Sequence, residues 1–246
     1  MAILITGGTK GIGLGIAERF AAPGVKVFLN YAHDDSAAER ASESIASRGA
    51  LPHLLKRDIT RQEDIAQLVR DIANHTDHLD QIVHGAVYPY SSRILSADPV
   101  ELEKAVALNG TAIAHLVREA LPLLRPGSTV FFLSSRGSKV AIPNYAAIGA
   151  PKALAEALVR YLAIELAEQG VRAHTVSASM VLTDALRSVF EDAEARAEAA
   201  AASNPMKRNV NEHDVAELVY FLASPQAEML TGREIFIDGG AYVKPG

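Results

Sequence analysis

Short apolar runs alternate with longer amphipathic segments along the chain, and this alternation limits the fold more than any other feature of the sequence. The runs are rich in β-branched residues and are apolar throughout, as expected of strands in a parallel sheet that helices cover on both faces. Seven strands are predicted: Ala2 to Thr6, Val25 to Asn30, Pro52 to Lys56, Gln81 to His84, Thr129 to Leu133, Val171 to Val176 and Glu234 to Ile237.

The segments between these runs carry helical periodicity. The predicted helices span, approximately, residues 11–22, 36–47, 61–75, 100–124, 145–168, 183–202 and 212–223. Neither a linker nor an internal repeat divides the chain. We therefore expect an α/β fold: one doubly wound Rossmann domain over residues 1–246, with a parallel seven-stranded sheet and helices on both faces.

The composition excludes several classes of function. Of the 246 residues, 49% are hydrophobic, and the net charge is −5 with dispersed basic residues, which argues against nucleic-acid or anionic-membrane partners. The absence of cysteine rules out disulfides and thiolate metal sites, and we predict no metal site of any kind. No apolar stretch approaches the roughly 18 residues of a membrane helix. We expect a cytoplasmic protein without a membrane partner.

A glycine-rich segment, Thr6 to Gly13, connects the first predicted strand to the first predicted helix. Glycines at such a junction let the backbone approach a pyrophosphate, while the helix N-terminus faces the phosphate charge. The alternative is a tight turn that needs glycine for its backbone angles. The position directly after the first strand favours dinucleotide binding by six residues: Gly7, Thr9, Lys10, Gly11, Ile12 and Gly13.

The end of the second strand predicts which dinucleotide binds. An acidic residue there would accept the adenosine ribose hydroxyls and repel a 2′-phosphate, but residues 28–32 contain no acid. Lys10 supplies a cation, and a charge-assisted bond of roughly 1.5–3 kcal/mol would favour the phosphorylated cofactor by a factor of about ten to a hundred. The sequence therefore predicts NADPH. The alternative is that Lys10 is a solvated loop charge, and Asp34 and Asp35 lie nearby.

Tyr145 and Lys152 are seven residues apart at the start of a long helical segment. Seven residues make two helical turns, so the two side chains fall within about 20° of each other around the axis and about 10 Å apart along it. A phenol and an ammonium on one face, together with the glycine loop, indicate hydride transfer with a phenolic donor to a developing oxyanion. The alternative is a structural pair in which Tyr145 caps the helix and the Lys152 stem covers it.

Four further motifs accompany this pair: Ser135 at the end of the fifth strand, Asp58-Ile59 after the third, Asn109 in the fourth helix, and Ile-Asp-Gly-Gly at residues 237–240. With the glycine loop, they make the chain closely resemble the short-chain dehydrogenase/reductase family over nearly its whole length. Most members place the lysine four residues after the tyrosine, where this chain has Gly149. The seven-residue spacing instead resembles the enoyl-acyl carrier protein reductase branch, in its NADPH-using type.

The resemblance implies a role for each matching residue. Tyr145 would hydrogen-bond the thioester carbonyl oxygen of a 2-enoyl substrate, Lys152 would hold the nicotinamide ribose, and Ser135 would assist Tyr145. The alternatives are that Ser135 bonds only backbone, that Asn109 is a structural helix residue, and that Asp58 caps a helix. The predicted cofactor site adds to the glycine loop Tyr31, Asp58, Ile59, Gly85, Asn109, Tyr145, Lys152, Val181 and Thr183.

The predicted function is NADPH-dependent reduction of the 2,3 double bond of an enoyl thioester, as in fatty-acid biosynthesis, with acyl carrier protein as a candidate carrier. The alternatives are an NADPH-dependent carbonyl reductase of 3-oxoacyl thioesters or other ketones, and a non-catalytic NADP-binding protein. After the fourth strand, His84-Gly85-Ala86-Val87 replaces the family's usual Asn-Asn-Ala-Gly, which favours a specialised pathway. The resemblance also implies a homotetramer.

Residues 183–208 form the predicted substrate lid. They follow the sixth strand, whose carboxyl end should face the ligand crevice. They include a run from Glu191 to Ala202 that is rich in Ala, Glu and Arg. The alternative is a solvated surface helix made of strong helix formers.

Overall fold

A parallel sheet of seven strands forms the centre of the structure, a computed structural model that describes residues 1–243. The strands are β1 (Ala2–Thr6), β2 (Lys26–Tyr31), β3 (Leu51–Lys56), β4 (Leu79–His84), β5 (Leu124–Ser135), β6 (Arg172–Ala178) and β7 (Glu234–Ile237). Neighbouring strands are parallel, in the order β3-β2-β1-β4-β5-β6-β7. The predicted α/β fold is confirmed. The last three residues of the predicted domain, 244–246, lie outside the described residues.

Helices cover both faces of this sheet. They are α1 (Gly11–Phe20), α2 (Asp35–Ser47), α3 (Gln62–Ala73), α4 (Pro99–Val106), α5 (Ala112–Ala120), α6 (Ala146–Ala167), α7 (Asp184–Val189), α8 (Ala193–Ser203) and α9 (Glu212–Ala223). One face of the sheet packs against α3, α5 and α6, and the other packs against α1, α2 and α9. The two hydrophobic cores therefore lie on either side of a single sheet.

The residues of β1 show why the strands are apolar throughout. Leu4 points to one face, where it shares a core with Phe28, while Ile3 and Ile5 point to the other face and share a core with Ile16. All five side chains of β1, from Ala2 to Thr6, are buried. Burial of one such side chain contributes about 1.5–3 kcal/mol, so a polar residue on either face of the strand would be costly.

The winding of the sheet reverses between β1 and β4, which is the point where ligands bind in open α/β sheets. β1 pairs with β2 on one side and with β4 on the other. The glycine loop leaves the carboxyl end of β1, and the segment that begins at Gly85 leaves the carboxyl end of β4. Both line one crevice, so the reversal places the predicted cofactor loop beside the predicted active-site segments.

The helix predicted over residues 100–124 is divided in the structure. A π-helical turn at Ala107–Thr111 separates α4 from α5. The turn carries Gly110 close to α6, where a Cβ on Gly110 would lie 3.3 Å from the Cβ of Pro151. This contact joins residues that are distant in sequence, so the helical periodicity of residues 100–124 did not indicate the break.

The helix predicted over residues 183–202 is also divided, into α7 and α8. The chain is extended at Phe190, which has φ −127° and ψ 120°. The side chain of Phe190 is buried. Burial of this aromatic ring against the rest of the molecule overrides the helix propensity of the flanking residues.

Two features that would change the functional interpretation are absent from residues 1–243. No helix in this range is both long enough and apolar enough to cross a membrane. The same range holds no group of three or more His, Cys, Asp or Glu side chains arranged to bind a metal ion.

Candidate active site

The carboxyl end of β5 and the start of α6 carry the three predicted catalytic residues, and hydrogen bonds join the two elements. The hydroxyl oxygens of Ser135 and Tyr145 lie 3.2 Å apart, and either hydroxyl can donate to the other. The Lys152 ammonium donates to the carbonyl oxygen of Leu133 at 2.9 Å. The structure therefore brings the phenol, the ammonium and the serine hydroxyl to one place, as the sequence predicts.

Tyr145 occupies the residue just before α6, with φ −108° and ψ 6°. Burial raises the pKa of Tyr145, and the hydrogen bond with Ser135 lowers it in part. A phenol whose pKa lies above its ordinary value of about 10 remains protonated at neutral pH. Tyr145 is therefore able to donate a hydrogen bond or a proton into the crevice.

Lys152 lies two turns further along α6. Burial lowers the pKa of Lys152 to about 8, and the charge of Glu156 acts in the opposite direction. In most molecules the Lys152 side chain is therefore a charged ammonium at neutral pH. An ammonium has three donors, and within residues 1–243 the Leu133 carbonyl is its one hydrogen-bond acceptor. The remaining donors are available to a ligand.

The chain has no room for side chains at Gly7, in the loop after β1, or at Gly13, in the first turn of α1. A Cβ on Gly7 would lie 2.9 Å from the backbone nitrogen of Ala86, and Gly7 has a φ of +67°. A Cβ on Gly13 would overlap the carbonyl group of Gly7. No side chain caps the N-terminus of α1. The loop therefore presents backbone amides and a positive helix end, which suits an anion.

These elements enclose a crevice of about 600 Å³. Nearly all of the predicted cofactor and catalytic residues line it: Gly7, Thr9, Lys10, Gly11, Ile12, Gly13, Tyr31, Asp58, Ile59, Gly85, Ser135, Tyr145, Lys152, Val181 and Thr183. Asn109 is the exception, since it is buried behind the wall of the crevice.

Asn109 ties α6 to the segment after β4. Its Oδ1 accepts from the backbone nitrogen of Tyr88 at 2.8 Å, and its Nδ2 donates to the backbone oxygens of Tyr88 and Ala147 at 3.1 and 3.3 Å. The Ala147 carbonyl is free to accept because Pro151, four residues later, has no N–H. The geometry thus gives Asn109 the structural role that the sequence left as an alternative, and places no side-chain atom of Asn109 on the crevice wall.

His84 takes the place of the family's asparagine and is fully buried. Burial lowers its pKa to about 4, so the ring is neutral. Its Nε2 donates to the Leu108 carbonyl at 3.1 Å, and its Nδ1 accepts from the Thr6 hydroxyl at 2.8 Å. The same hydroxyl accepts from the backbone nitrogens of Gly85 and Ala86. His84 therefore fixes the ends of β1 and β4 together, a role that sequence reasoning missed.

The part of the crevice near the end of β2, where the adenosine ribose is predicted to bind, contains an ion pair that the sequence did not predict. The Lys10 ammonium forms an ion pair with Asp34, whose pKa it lowers. Asp34 also caps the N-terminus of α2, since its Oδ1 accepts from the backbone nitrogen of Ala37 at 2.9 Å. The predicted phosphate-binding cation is therefore already shared with a carboxylate. Asp58 accepts from the backbone nitrogen of Thr60 at 3.0 Å in the turn before α3. It does not cap that helix, since α3 begins at Gln62 after Arg61 and has no side-chain cap, and it lines the crevice.

The first part of the segment predicted as a lid, residues 183–189, contributes to the crevice lining. Phe190 stacks on Tyr145, with ring centroids 6.0 Å apart and planes 11° apart. The Arg196 guanidinium lies 4.5 Å from the centroid of the same phenylalanine ring. Leu186 and Val189 of α7 line the crevice, so this end of it has an apolar wall. The stacking of Phe190 on Tyr145 was not predicted.

The fold and the site together define a class of protein. A sheet wound in both directions from β1, a glycine loop after that strand, and Ser135, Tyr145 and Lys152 at the end of β5 are typical of dinucleotide-dependent oxidoreductases of the Rossmann type. A family model described as enoyl-(acyl carrier protein) reductase matches residues 7–242. The chain belongs to this family, within the short-chain dehydrogenase/reductase oxidoreductases.

Curated relatives span nearly the whole chain. Versicolorin reductase 1 of Aspergillus parasiticus is 30% identical over 250 residues, which covers 97% of this chain and 95% of the relative. The 1-cyclohexenylcarbonyl-CoA reductase of Streptomyces collinus is 28% identical, covering 98% and 86%. The 3-oxoacyl-(acyl-carrier-protein) reductase FabG of Staphylococcus epidermidis is 25% identical, covering 98% of each. The names of these relatives include both an enoyl and a keto substrate.

Solved structures share the fold closely. A dehydrogenase/reductase from Sinorhizobium meliloti superimposes with a TM-score of 0.88 at 27% identity, covering 98% of this chain and 94% of that one. The Pseudomonas aeruginosa RhlG/NADP active-site complex superimposes with a TM-score of 0.87 at 26% identity, covering 98% and 96%. Both likenesses extend over the whole sheet and its helices.

Enzymes of this family use nicotinamide dinucleotides, and the crevice fits such a group. A Cβ on Gly11 would lie 3.0 Å from the side chain of Thr183, and both residues line the crevice, so this glycine leaves space for a pyrophosphate after β1. The uncapped N-terminus of α1 complements the phosphate charge. At the other end, the free donors of Lys152 match ribose hydroxyls. The residues present are therefore those that the dinucleotide needs along its length.

Proposed function

We propose that this enzyme reduces the 2,3 double bond of an enoyl thioester with NADPH. The observation that carries the proposal is the pair Tyr145 and Lys152, seven residues apart, with both side chains on one crevice and Ser135 hydrogen-bonded to the phenol. The matching family model and the relative named 1-cyclohexenylcarbonyl-CoA reductase support the same reaction.

NADPH would be held along the crevice by the residues that fit it. The glycine loop and the start of α1 would bind the pyrophosphate, and Lys152 would bind the nicotinamide ribose. Lys10 would bind the 2′-phosphate by exchanging its ion pair with Asp34. When bound, the reduced nicotinamide supplies the hydride. The solved RhlG complex contains NADP, which supports this choice of dinucleotide.

Tyr145 would donate a hydrogen bond to the thioester carbonyl oxygen. That oxygen gains negative charge as the β-carbon accepts the hydride and loses it when the α-carbon takes up a proton from solvent, and a donor placed in advance stabilises the charge. Ser135 would orient the phenol through their hydrogen bond, and the nearby Lys152 ammonium would add positive potential. Loss of one such donor typically slows an enzyme about 10²- to 10³-fold.

The lid would enclose the acyl group. Leu186 and Val189 give this side of the crevice an apolar surface, and Phe190 stacks on Tyr145 behind it. An apolar surface suits an acyl chain and excludes water from the developing charge. Residues 183–208 thus retain their predicted role as a substrate lid in this proposal.

A second candidate function is reduction of a ketone, such as a 3-oxoacyl thioester. The hydrogen bond with Ser135 lowers the pKa of Tyr145 in part, which favours proton donation to an alkoxide, as carbonyl reduction requires. The relative named 3-oxoacyl-(acyl-carrier-protein) reductase supports this alternative. In that reaction the carbonyl carbon of the ketone would accept the hydride. Tyr145 would donate its proton to the oxygen of the same carbonyl group.

The two functions are distinguished by supplying purified protein and NADPH with crotonyl-CoA or acetoacetyl-CoA and following the loss of reduced-nicotinamide absorbance. We expect faster turnover of the crotonyl thioester. Faster turnover of the acetoacetyl thioester would support the second candidate. Binding of NADPH without turnover of either thioester, or of a wider set of enones and ketones, would support the non-catalytic alternative.

The proposal includes assembly into a homotetramer. The exposed side chains of Leu154, Tyr161 and Ile164 form an apolar stretch along α6, which a neighbouring subunit would cover. Light scattering coupled to size-exclusion chromatography tests this: a mass near that of one chain would contradict it. To test whether acyl carrier protein is the carrier, the rate of turnover of its crotonyl thioester is compared with that of crotonyl-CoA.

A further inference from the structure

A buried charged cluster lies behind Lys152 and takes no part in the proposed reaction. Its centre is Glu156, whose side chain is only 2% exposed. The Ser134 hydroxyl donates to Oε1 of Glu156, and the Lys139 ammonium donates to its Oε2. Lys139 also pairs with Glu234, at 2.6 Å. With two carboxylates and one ammonium, the cluster carries a net charge of −1.

Glu156 follows Lys152 by one turn of α6, so the Cβ atoms of the two residues are about 5–6 Å apart. The partners of the two side chains are consecutive in β5: Lys152 donates to the carbonyl of Leu133, and Glu156 accepts from the hydroxyl of Ser134. Helix α6 is therefore attached to the end of β5 at two adjacent points. The contact at Glu156 fixes the part of the helix that carries Lys152.

Among the charged groups of residues 1–243, Glu156 is the one whose charge acts on the pKa of Lys152. From β4, the neutral ring of His84 is close enough for the Lys152 charge to affect its pKa. From β5, Lys152 meets the Leu133 carbonyl, and the protonated phenol of Tyr145 and the hydroxyl of Ser135 line the same crevice. Burial disfavours the ammonium, and the carboxylate of Glu156 is the charge that opposes this effect.

We propose that Glu156 is a positioning residue for Lys152: its buried carboxylate, anchored by Ser134 and Lys139, holds α6 against β5 and keeps the neighbouring ammonium charged at neutral pH. This proposal deepens the proposed function, because it concerns the state in which Lys152 meets a ligand. Burial of a carboxylate is costly unless it is paired. The carboxylate of Glu156 is paired with Lys139 and hydrogen-bonded to Ser134, one helical turn from the Lys152 ammonium.

The test is the titration of Lys152 itself in the protein without dinucleotide. Lysine labelled with ¹³C at the ε-carbon gives one NMR signal per side chain, and loss of a signal in Lys152→Met assigns it. In Glu156→Gln, we expect the midpoint of the Lys152 titration to fall by about one pH unit, because the change removes the opposite charge, one helical turn away, that acts on the ammonium. The alkaline limb of kcat/KM should move in the same direction.

Two variants serve as controls. Glu165→Gln removes an exposed carboxylate from the same helix and should leave the midpoint unchanged. Glu156→Asp keeps the charge and should restore most of the wild-type midpoint. An unchanged midpoint in a folded Glu156→Gln variant would overturn the proposal, even if that variant had a lower melting temperature, since a purely structural role moves stability and leaves the titration in place.

A second variant covers the case in which Glu156→Gln does not fold. The triple change Glu156→Gln, Lys139→Met and Glu234→Gln removes all three charges of the cluster, so neither Lys139 nor Glu234 is left without its partner. The midpoint should again fall, because the carboxylate that acts on Lys152 is removed together with the net charge of −1. No fall would overturn the proposal. The titration needs no substrate, so its outcome is independent of which thioester the enzyme reduces.

Discussion

The Lys152 ammonium lies 2.9 Å from the carbonyl oxygen of Leu133, two residues before the serine that bonds Tyr145 on the same strand. The seven-residue spacing thus allows Tyr145, just before α6, and Lys152, within it, both to meet the end of β5. At the position four residues after Tyr145, a Cβ on Gly149 would overlap the carbonyl group of Gly137. A lysine at that usual family position would therefore require the Gly137 turn to move.

Tyr145→Phe removes the proposed oxyanion donor. We expect kcat to fall about 10²- to 10³-fold, while the dissociation constant of NADPH, measured by nucleotide fluorescence, stays within about twofold. Tyr161→Phe is the matched control, since Tyr161 lies on the same helix and is 71% exposed. Unchanged kcat in Tyr145→Phe would exclude the phenol from the mechanism.

Asp34→Asn should increase the preference for NADPH over NADH. The change frees Lys10 from its ion pair, so less interaction energy is lost when the 2′-phosphate binds. We expect the NADPH dissociation constant to fall several-fold with that of NADH unchanged, and Lys10→Met to raise the NADPH constant about tenfold. Asp35→Asn is the control, because Asp35 pairs with Lys56. Equal effects on both dinucleotides would contradict the assignment of Lys10.

Phe190→Ala should weaken the substrate site and leave the dinucleotide site intact. It removes a ring that stacks on Tyr145 and forms part of the lid; an aromatic pair contributes about 0.5–1.5 kcal/mol beyond its buried area. We expect kcat/KM for the thioester to fall about tenfold, with unchanged binding of NADPH. Phe190→Leu, which keeps an apolar side chain, should lose less. A matching loss of NADPH affinity would contradict a lid role.

Stability should fall as the pH decreases below about 6.5, because His84 and His174 are buried as neutral rings with pKa values lowered to about 4. Their folded pKa values lie below the unfolded value near 6.5. The unfolded chain therefore binds more protons in this range, and stability is complete above pH 6.5 and is lost towards pH 4. From pH 7 to pH 5, each ring should contribute a loss of about 2 kcal/mol.

Urea unfolding of wild type and His84→Asn at pH 7 and pH 5 tests this dependence. The variant should show a smaller loss between the two pH values, since one titrating group is removed and asparagine can still bond Thr6. His213→Asn alters a histidine whose side chain is 76% exposed and should behave as wild type. Equal pH dependence in wild type and His84→Asn would show that the ring is not buried neutral.

The fold was predictable because its signals are local. Most strands of the sheet contain a short apolar run, and the residues of β1 are buried on both faces as such a run requires. The glycine loop and the Tyr145/Lys152 pair were predictable for the same reason, since each is a short motif whose chemistry follows from its spacing.

The features that the sequence left unpredicted arise from contacts between distant residues. The pairing of Lys10 with Asp34 depends on how two loops meet, and the stacking of Phe190 on Tyr145 depends on the position of α7. The hydrogen bond between Thr6 and His84 depends on strand register. The sequence contained one signal for this hydrogen bond: Thr6 and His84 are the last residues of β1 and β4, which are neighbouring strands of the parallel sheet.

Deuterium transfer tests the central claim most directly. Purified protein is incubated with NADPH deuterated at the transferring position of the nicotinamide and with an equimolar mixture of crotonyl-CoA and acetoacetyl-CoA, and the products are analysed by mass spectrometry and NMR. The account predicts butyryl-CoA with deuterium on its β-carbon, formed by wild type and lost in Tyr145→Phe. Deuterium found only in 3-hydroxybutyryl-CoA would contradict it.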